Sequence, residues 1–167
     1  MKDQSTLIHL EYESDKNYDT VIAAFEAATG TITGDEFRQA VAASGGNLAS
    51  FEARIRAFEG SSAFMRFLDV DHSAWMKILG IPGRCRLYIL GNPLIAATMA
   101  RHDLGAGLNV PVRVLIYEKP NSGRTWLAYD LPSSLMARLG NNEIDKAAIK
   151  LDEKLAALAK IATEAKP

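Results

Sequence analysis

The sequence predicts an α+β domain: one mixed or antiparallel sheet of five strands covered by helices, in the order β-α-(αα)-β-α-β-α-β-β-α. Three observations carry that prediction. Strand-like and helix-like runs alternate along the chain, and one helix-covered sheet buries both kinds of apolar face. The runs "VPVRVLIYE" and "TWLAYD" flank the turn "KPNSGR", so they read as a hairpin and the sheet is not purely parallel. The chain closes on a long amphipathic helix.

The elements follow in order. In "TLIHLEYES", Ile8, Leu10 and Tyr12 alternate with His9 and Glu11, the period of a half-buried strand. Val21, Ile22, Phe25 and Ala28 then recur at helical spacing, with Asn17 as N-cap and Gly30 as the stop. Phe37 and Val41 mark one short helix, and Leu48, Phe51, Ile55 and Phe58 a second, with Gly45-Gly46 between them. "AFMRFLDV" is a strand, "DHSAWMKILG" a short helix capped by Asp71, and "RCRLYIL" a strand. "NPLIAATMARHD" is a helix with Asn92 as cap and Pro93 in the first turn, where a missing N–H costs nothing. "VPVRVLIYE" is β-branched and nearly continuous, which places it centrally in the sheet. A helical turn or two at "LPSSLMARLG" precedes the last helix, read over about 143–164, with Asn142 and Asp145 as a capping pair. Its stripe of Ile144, Ala148, Leu151, Leu155 and Leu158 is suited to packing on the sheet.

The bulk numbers exclude several function classes. The chain has 167 residues, 48% apolar and 23% charged, which suits one globular domain over 1–167 with no repeat or linker. Its 19 basic and 20 acidic residues give a net charge of −1, without the basic excess of a nucleic-acid binder. Arg66, Arg84, Arg86 and Arg113 lie on strands, and the plain reading is scattered, solvated arginines. One cysteine, Cys85, permits neither an internal disulfide nor a cysteine-based zinc site, and an inert buried thiol is the expectation. No window approaches a membrane span, and "MKDQSTLIHLEYES" lacks a leader's apolar core. The cytoplasm follows as the default location.

The run "LDVDHSAWMKILGIPGRCRLYILGNPLIAATMA", then "LNVPVRVLIYE", then "GRTWLAYDLPSSL" resembles the DUF302 family, a domain of unknown function. The carrying positions are Asp71-His72, Gly80, Gly91-Asn92-Pro93, Met99, Pro111, Tyr117-Glu118 and Tyr129. The resemblance covers 63–136 well and 5–29 weakly. It implies an α+β domain, a homodimer, and no assigned activity. Against that pattern residues 30–61 read as a helical insertion, and the last helix runs past the usual core.

Two strand ends are candidates for chemistry. At Asp71-His72 a carboxylate can orient an imidazole for acid–base work, although Asp71 also suits a plain cap. Gly91-Asn92-Pro93 exposes a helix start, which suits anions, although Pro93 removes a donor. If both ends lie side by side, Asp71, His72, Gly91 and Asn92 border one cleft, with Tyr117 or Tyr129 nearby, fit for a small polar or anionic ligand. Met99 and His102 stand three apart on a helix, and Met99 reads as core filler rather than a metal or haem ligand. Neither a cofactor nor a metal is expected. Three functions remain open: a ligand-binding domain at the His72/Asn92 edge, an enzyme using His72 as acid or base, and a structural or oligomerising domain using residues 30–61 or the last helix.

Overall fold

Short-range hydrogen bonds set where the elements begin and end. In the computed structural model, which describes residues 5–164, β1 (His9–Ser14) leads into α1 (Tyr18–Ala28). Asn17 caps α1 by accepting the Thr20 N–H at 2.9 Å, a donor the first turn leaves open. Val21 and Phe25 are fully buried beneath it. The expectation of a leaderless start concerns in part residues 1–4, which lie outside the described residues.

A sixth strand, β2 (Gly30–Thr31), corrects the expected count of five. Two residues carry no readable period. Gly30 is not the helix stop: Thr29 is the C-cap, and the Gly30 N–H donates to the Phe64 carbonyl at 2.9 Å. Glycine is needed there because a Cβ would lie 1.7 Å from the Phe58 carbonyl oxygen.

The helical hairpin follows as α2 (Gly34–Ala43) and α3 (Leu48–Arg56), turned by Gly45 and Gly46 at positive φ. A capping box between Thr33 and Glu36 opens α2. Val41 and Leu48 are exposed rather than inward. Ala40, Ile55, Ile32 and Met65 form a small second core instead, with Phe37, Phe51 and Phe58 against it.

Then come β3 (Met65–Asp71), α4 (Ser73–Ile78), β4 (Arg84–Gly91), α5 (Pro93–Ala100) and a 3₁₀ turn at Leu104–Leu108. The chain continues through β5 (Val112–Glu118), β6 (Thr125–Asp130), α6 (Pro132–Met136), a second 3₁₀ turn at Ala137–Leu139, and α7 (Asn142–Thr163). The sheet order is β1-β6-β5-β4-β3-β2, antiparallel except for the parallel β2–β3 pair. β5 lies inside the sheet, as its continuous apolar run requires.

The main core lies between one sheet face and helices α1 and α7. Tyr88, Leu90, Val114, Ile116 and Leu127 meet Phe25, Ile144, Leu151, Leu155 and Leu158 there. Each buried leucine on α7 contributes about 2 kcal/mol. The α7 cap is Asn141, not Asn142: its side chain accepts the Glu143 N–H at 2.9 Å. On the opposite sheet face Leu87, Ile89, Leu115 and Trp126 stay half-buried. Among the described residues no helix is long and apolar enough to cross a membrane.

Candidate functional site

The two strand ends part company. Met65 pairs with Gly91 while Asp71 pairs with Arg86, so His72 and Asn92 lie at opposite ends of the sheet. Six residue steps along β3 separate them by about 20 Å. The shared cleft expected from the sequence therefore does not exist. The reason is strand direction: after the short helix α4 the chain returns antiparallel beside β3, so β3 and β4 finish at opposite ends of the sheet.

At the His72 end the groups are tied into local structure. Asp71 Oδ1 accepts the Ser73 N–H at 2.9 Å, and Asp71 Oδ2 takes Arg86 Nη2 at 3.3 Å. The Ser73 hydroxyl and N–H, with Arg86 beside them, hold the Asp71 carboxyl below the usual carboxylate range. His72 instead accepts the Trp75 indole N–H on Nδ1 at 3.1 Å, and Trp75 meets its ring edge-on. Asp71 and His72 thus serve different partners and form no dyad. Tyr117 lies toward this end, donating to Glu11 and stacked on Trp126. Burial, then the bond to Glu11, pushes its phenol up. Tyr129 is core: it stacks on Tyr12 at 6.0 Å, hydroxyl to hydroxyl at 3.3 Å, and burial raises its phenol as well.

At the other end Asn92 is 5% exposed and fully engaged. Its Oδ1 accepts the Leu94 N–H at 2.9 Å. Its Nδ2 donates to Glu59 Oε1 at 2.6 Å and to the Ala63 carbonyl at 2.9 Å. The side chain therefore caps α5 and fastens the segment after α3 to it. Beside this turn opens a cavity of about 440 Å³ lined by Phe37, Phe64, Phe67, Pro93, Ile95 and Pro111, among others. Gly91 forms part of its wall with backbone alone, since a Cβ would come within 3.3 Å of Pro111. Sequence reading missed this cavity. Its walls come from distant segments, and each apolar residue reads singly as core.

The strand arginines are also not scattered. Glu26 on α1 receives the Tyr88 hydroxyl at 2.7 Å, Arg66 Nη1 at 3.1 Å and Arg86 Nη1 at 3.3 Å. Burial, then the bond to Glu26, raises the Tyr88 phenol. Arg84 meets both Asp19 oxygens at 2.9 Å and Glu118 at 3.0 Å, above the Tyr18 ring. These arginines clamp α1 to β3 and β4. Arg113 alone of the four stays largely in solvent. Cys85 is half-buried and its thiol is pushed up by burial, the opposite of an activated nucleophile. Met99 is buried while His102 is exposed, so the pair does not converge. No three His, Cys, Asp or Glu side chains gather as a metal set among the described residues.

A helix-backed, largely antiparallel sheet of this topology defines an α+β domain, here with an apolar cavity at the end of β4. The chain belongs to the DUF302 family: the family model, described as a domain of unknown function, matches residues 40–162. The crystal structure of an uncharacterized conserved DUF302 protein from Bacillus stearothermophilus has the same fold, with a TM-score of 0.64 at 14% identity. That match covers 92% of this chain and 97% of the other. Two curated relatives are the fluoride-specific ion channels FluC 1 of Brucella suis biovar 1 (strain 1330) and Brucella abortus biovar 1 (strain 9-941). Each is 34% identical over 87 residues, or 51% of this chain, covering 34% and 32% of the two relatives. The chain thus spans about a third of the length of those relatives.

Proposed function

We propose that this chain is a non-enzymatic binding domain whose ligand is a small, largely apolar molecule held beside Gly91-Asn92-Pro93. The cavity carries this reading. Its volume of about 440 Å³ lies within the range of ligand pockets, about 300–1,000 Å³. Its lining includes no titratable side chain, and its one polar side chain, Asn92, is engaged elsewhere. An acid or base must reach the proton it moves, and His72 is at the far end of the sheet. The part of the ligand inside the cavity is therefore apolar, and Asn92 supports the wall rather than contacting it with a free polar group.

The test uses N-phenyl-1-naphthylamine, a neutral dye that brightens in apolar sites. Ala96 lines the cavity from α5, and Ala96→Phe fills it from the rim. The dye should bind the wild type saturably and lose that binding in Ala96→Phe, with the melting temperature retained. Equal dye binding by both proteins would overturn the reading.

Self-association is a second reading, favoured by the sheet face turned away from α1 and α7. Leu68 there is 56% exposed, and Ile78 and Leu108 beyond its two ends are 84% and 81% exposed. Glu11, Asp130 and Arg113 supply both charge signs at its margin, so a copy can meet it without like-charge conflict. The apolar stripe of α7 is buried internally and offers no such contact. Light scattering on Leu68→Arg should show a dimer becoming a monomer. An unchanged mass would reject this face.

A further inference from the structure

The apolar cavity has a neighbour at Asn92. A second groove of about 560 Å³ runs between α5 and α7, and the two share Asn92, Ile95 and Leu151 as lining. Its character is opposite. Arg56, Arg101, Lys146, Lys150 and Lys154 face it, against the carboxylates of Glu59 and Glu143. Both carboxylates have partners: Glu143 pairs with Lys146 at 2.7 Å, and Glu59 accepts the Asn92 amide. Arg101 donates through Nε to the Ala97 carbonyl at 2.9 Å and makes no ion pair. Arg56, Lys150 and Lys154 make none either among the described residues. Elsewhere on this chain of net charge −1, the arginines on β3 and β4 are matched by acids. In this groove Arg56, Lys150 and Lys154 stand close together without a matching acid among the described residues.

We infer that the ligand is a single-chain amphiphile with an anionic head, its alkyl tail in the Phe37/Phe64/Phe67 cavity and its head among Arg56, Lys150 and Lys154. This rests on the cavity being a binding site, and adds what lies beside it. A neutral apolar ligand would leave the cations without a role. A purely polar anion would leave the cavity empty. One molecule with both ends satisfies the two in the order the fold places them. A carboxylate or a phosphate monoester supplies the head equally well, since lysine binds either as a point charge.

The experiment is displacement of N-phenyl-1-naphthylamine from the full chain at pH 7.5 and low salt. The competitors are 1-decanol, decanoate, decyl phosphate and decyltrimethylammonium. At least one of the two anions should compete at concentrations about tenfold below decanol, and the cation should compete worse than decanol. The anion that competes better identifies the head. Raising salt should shrink the preference, because exposed charges are screened. Lys150→Gln/Lys154→Gln changes two exposed residues and should bring the anions level with decanol while decanol itself is unaffected. Lengthening the tail from eight to ten carbons should tighten binding about fourfold per methylene. Decanol and both anions competing equally in the wild type would overturn the head-group assignment and leave the cavity reading standing. Failure of all four, with no dye bound, would overturn the cavity reading itself.

Discussion

Asn92→Ala removes three hydrogen bonds from one residue that is 5% exposed. The lost cap on the Leu94 N–H costs about 1 kcal/mol. The Ala63 carbonyl and the Glu59 carboxylate lose their amide donor, which adds about 1–2 kcal/mol for partly buried acceptors. The expected loss is therefore about 2–3 kcal/mol, or about 4–12 °C in melting temperature for a domain of this size. Urea unfolding reads it as a lower midpoint at unchanged slope. Asn92→Asp sharpens the test. The new carboxylate keeps the cap but sets a negative charge where Nδ2 now donates to Glu59 Oε1 at 2.6 Å. Two carboxylates at that distance resist joint ionisation. The folded protein then binds protons more readily than the unfolded chain, so stability falls as pH rises through the carboxylate range and returns on acidification. The aspartate penalty should change with pH far more steeply than the alanine penalty. An alanine variant within about 0.5 kcal/mol of wild type, or an aspartate penalty flat between pH 4.5 and 8, would refute the account of this turn.

Gly30→Ala would place a methyl 1.7 Å from the Phe58 carbonyl oxygen, with backbone carbons of Phe58 and Glu59 at 2.8 and 2.9 Å. It should lose more than about 4 kcal/mol or fail to fold, whereas Gly107→Ala, which meets nothing within 4 Å, should melt near wild type; similar circular-dichroism melts for both would contradict the close approach. Asp152 accepts the Ser133 N–H at 3.1 Å, yet burial raises its carboxyl above the usual range. The contribution of Asp152 to stability therefore falls as pH rises from the unfolded carboxylate value to the raised folded one, and Asp152→Asn, whose oxygen still accepts Ser133, should gain over wild type at pH 7 but not at pH 3.5 in urea titrations. Glu26→Ala leaves Arg66 and Arg86 without their shared carboxylate and should cost about 2 kcal/mol, discounted for the solvent these side chains retain. A double-mutant cycle with Arg66→Met should show coupling above about 0.5 kcal/mol; additivity would mean the clamp contributes nothing.

The parts legible in the sequence are those governed by neighbours along the chain. Asn17 and Asn92 cap the helices after them, and Pro93 sits where its missing N–H is harmless. The apolar run of β5 and the turn after it make an interior strand and a hairpin. The buried stripe of α7 follows from its period. Where two adjacent residues have equal capping power, as Asn141 and Asn142 do, the chain pattern does not choose, and the fold uses Asn141. β2 was invisible for a different reason: it exists because Gly30 lets two backbones touch, a fact about a partner segment that begins beyond Phe58.

The failure of the His72/Asn92 cleft has the same origin one level up. Asn92 caps α5 as the sequence suggests. At the other strand end His72, not Asp71, holds the N-cap position of α4 without a side-chain cap bond, and Asp71 takes the Ser73 N–H from one residue earlier. Whether two such strand ends share an edge depends on the relative direction of the strands. That direction is set here by a connection between Asp71 and Arg84 that holds only one short helix. The cavity shows the converse. Phe37, Phe64, Pro93, Pro111 and Leu151 come from five separate stretches of chain, and each alone looks like ordinary core. What distinguishes them is that together they leave a space beside the Gly91-Asn92-Pro93 turn, where Gly91 lets Pro111 approach the backbone and Asn92 is tied to Glu59 and Ala63. Lys150 and Lys154 on α7 likewise line a groove together with Arg56 of α3 and Thr98 of α5, a juxtaposition that the period of α7 alone does not contain.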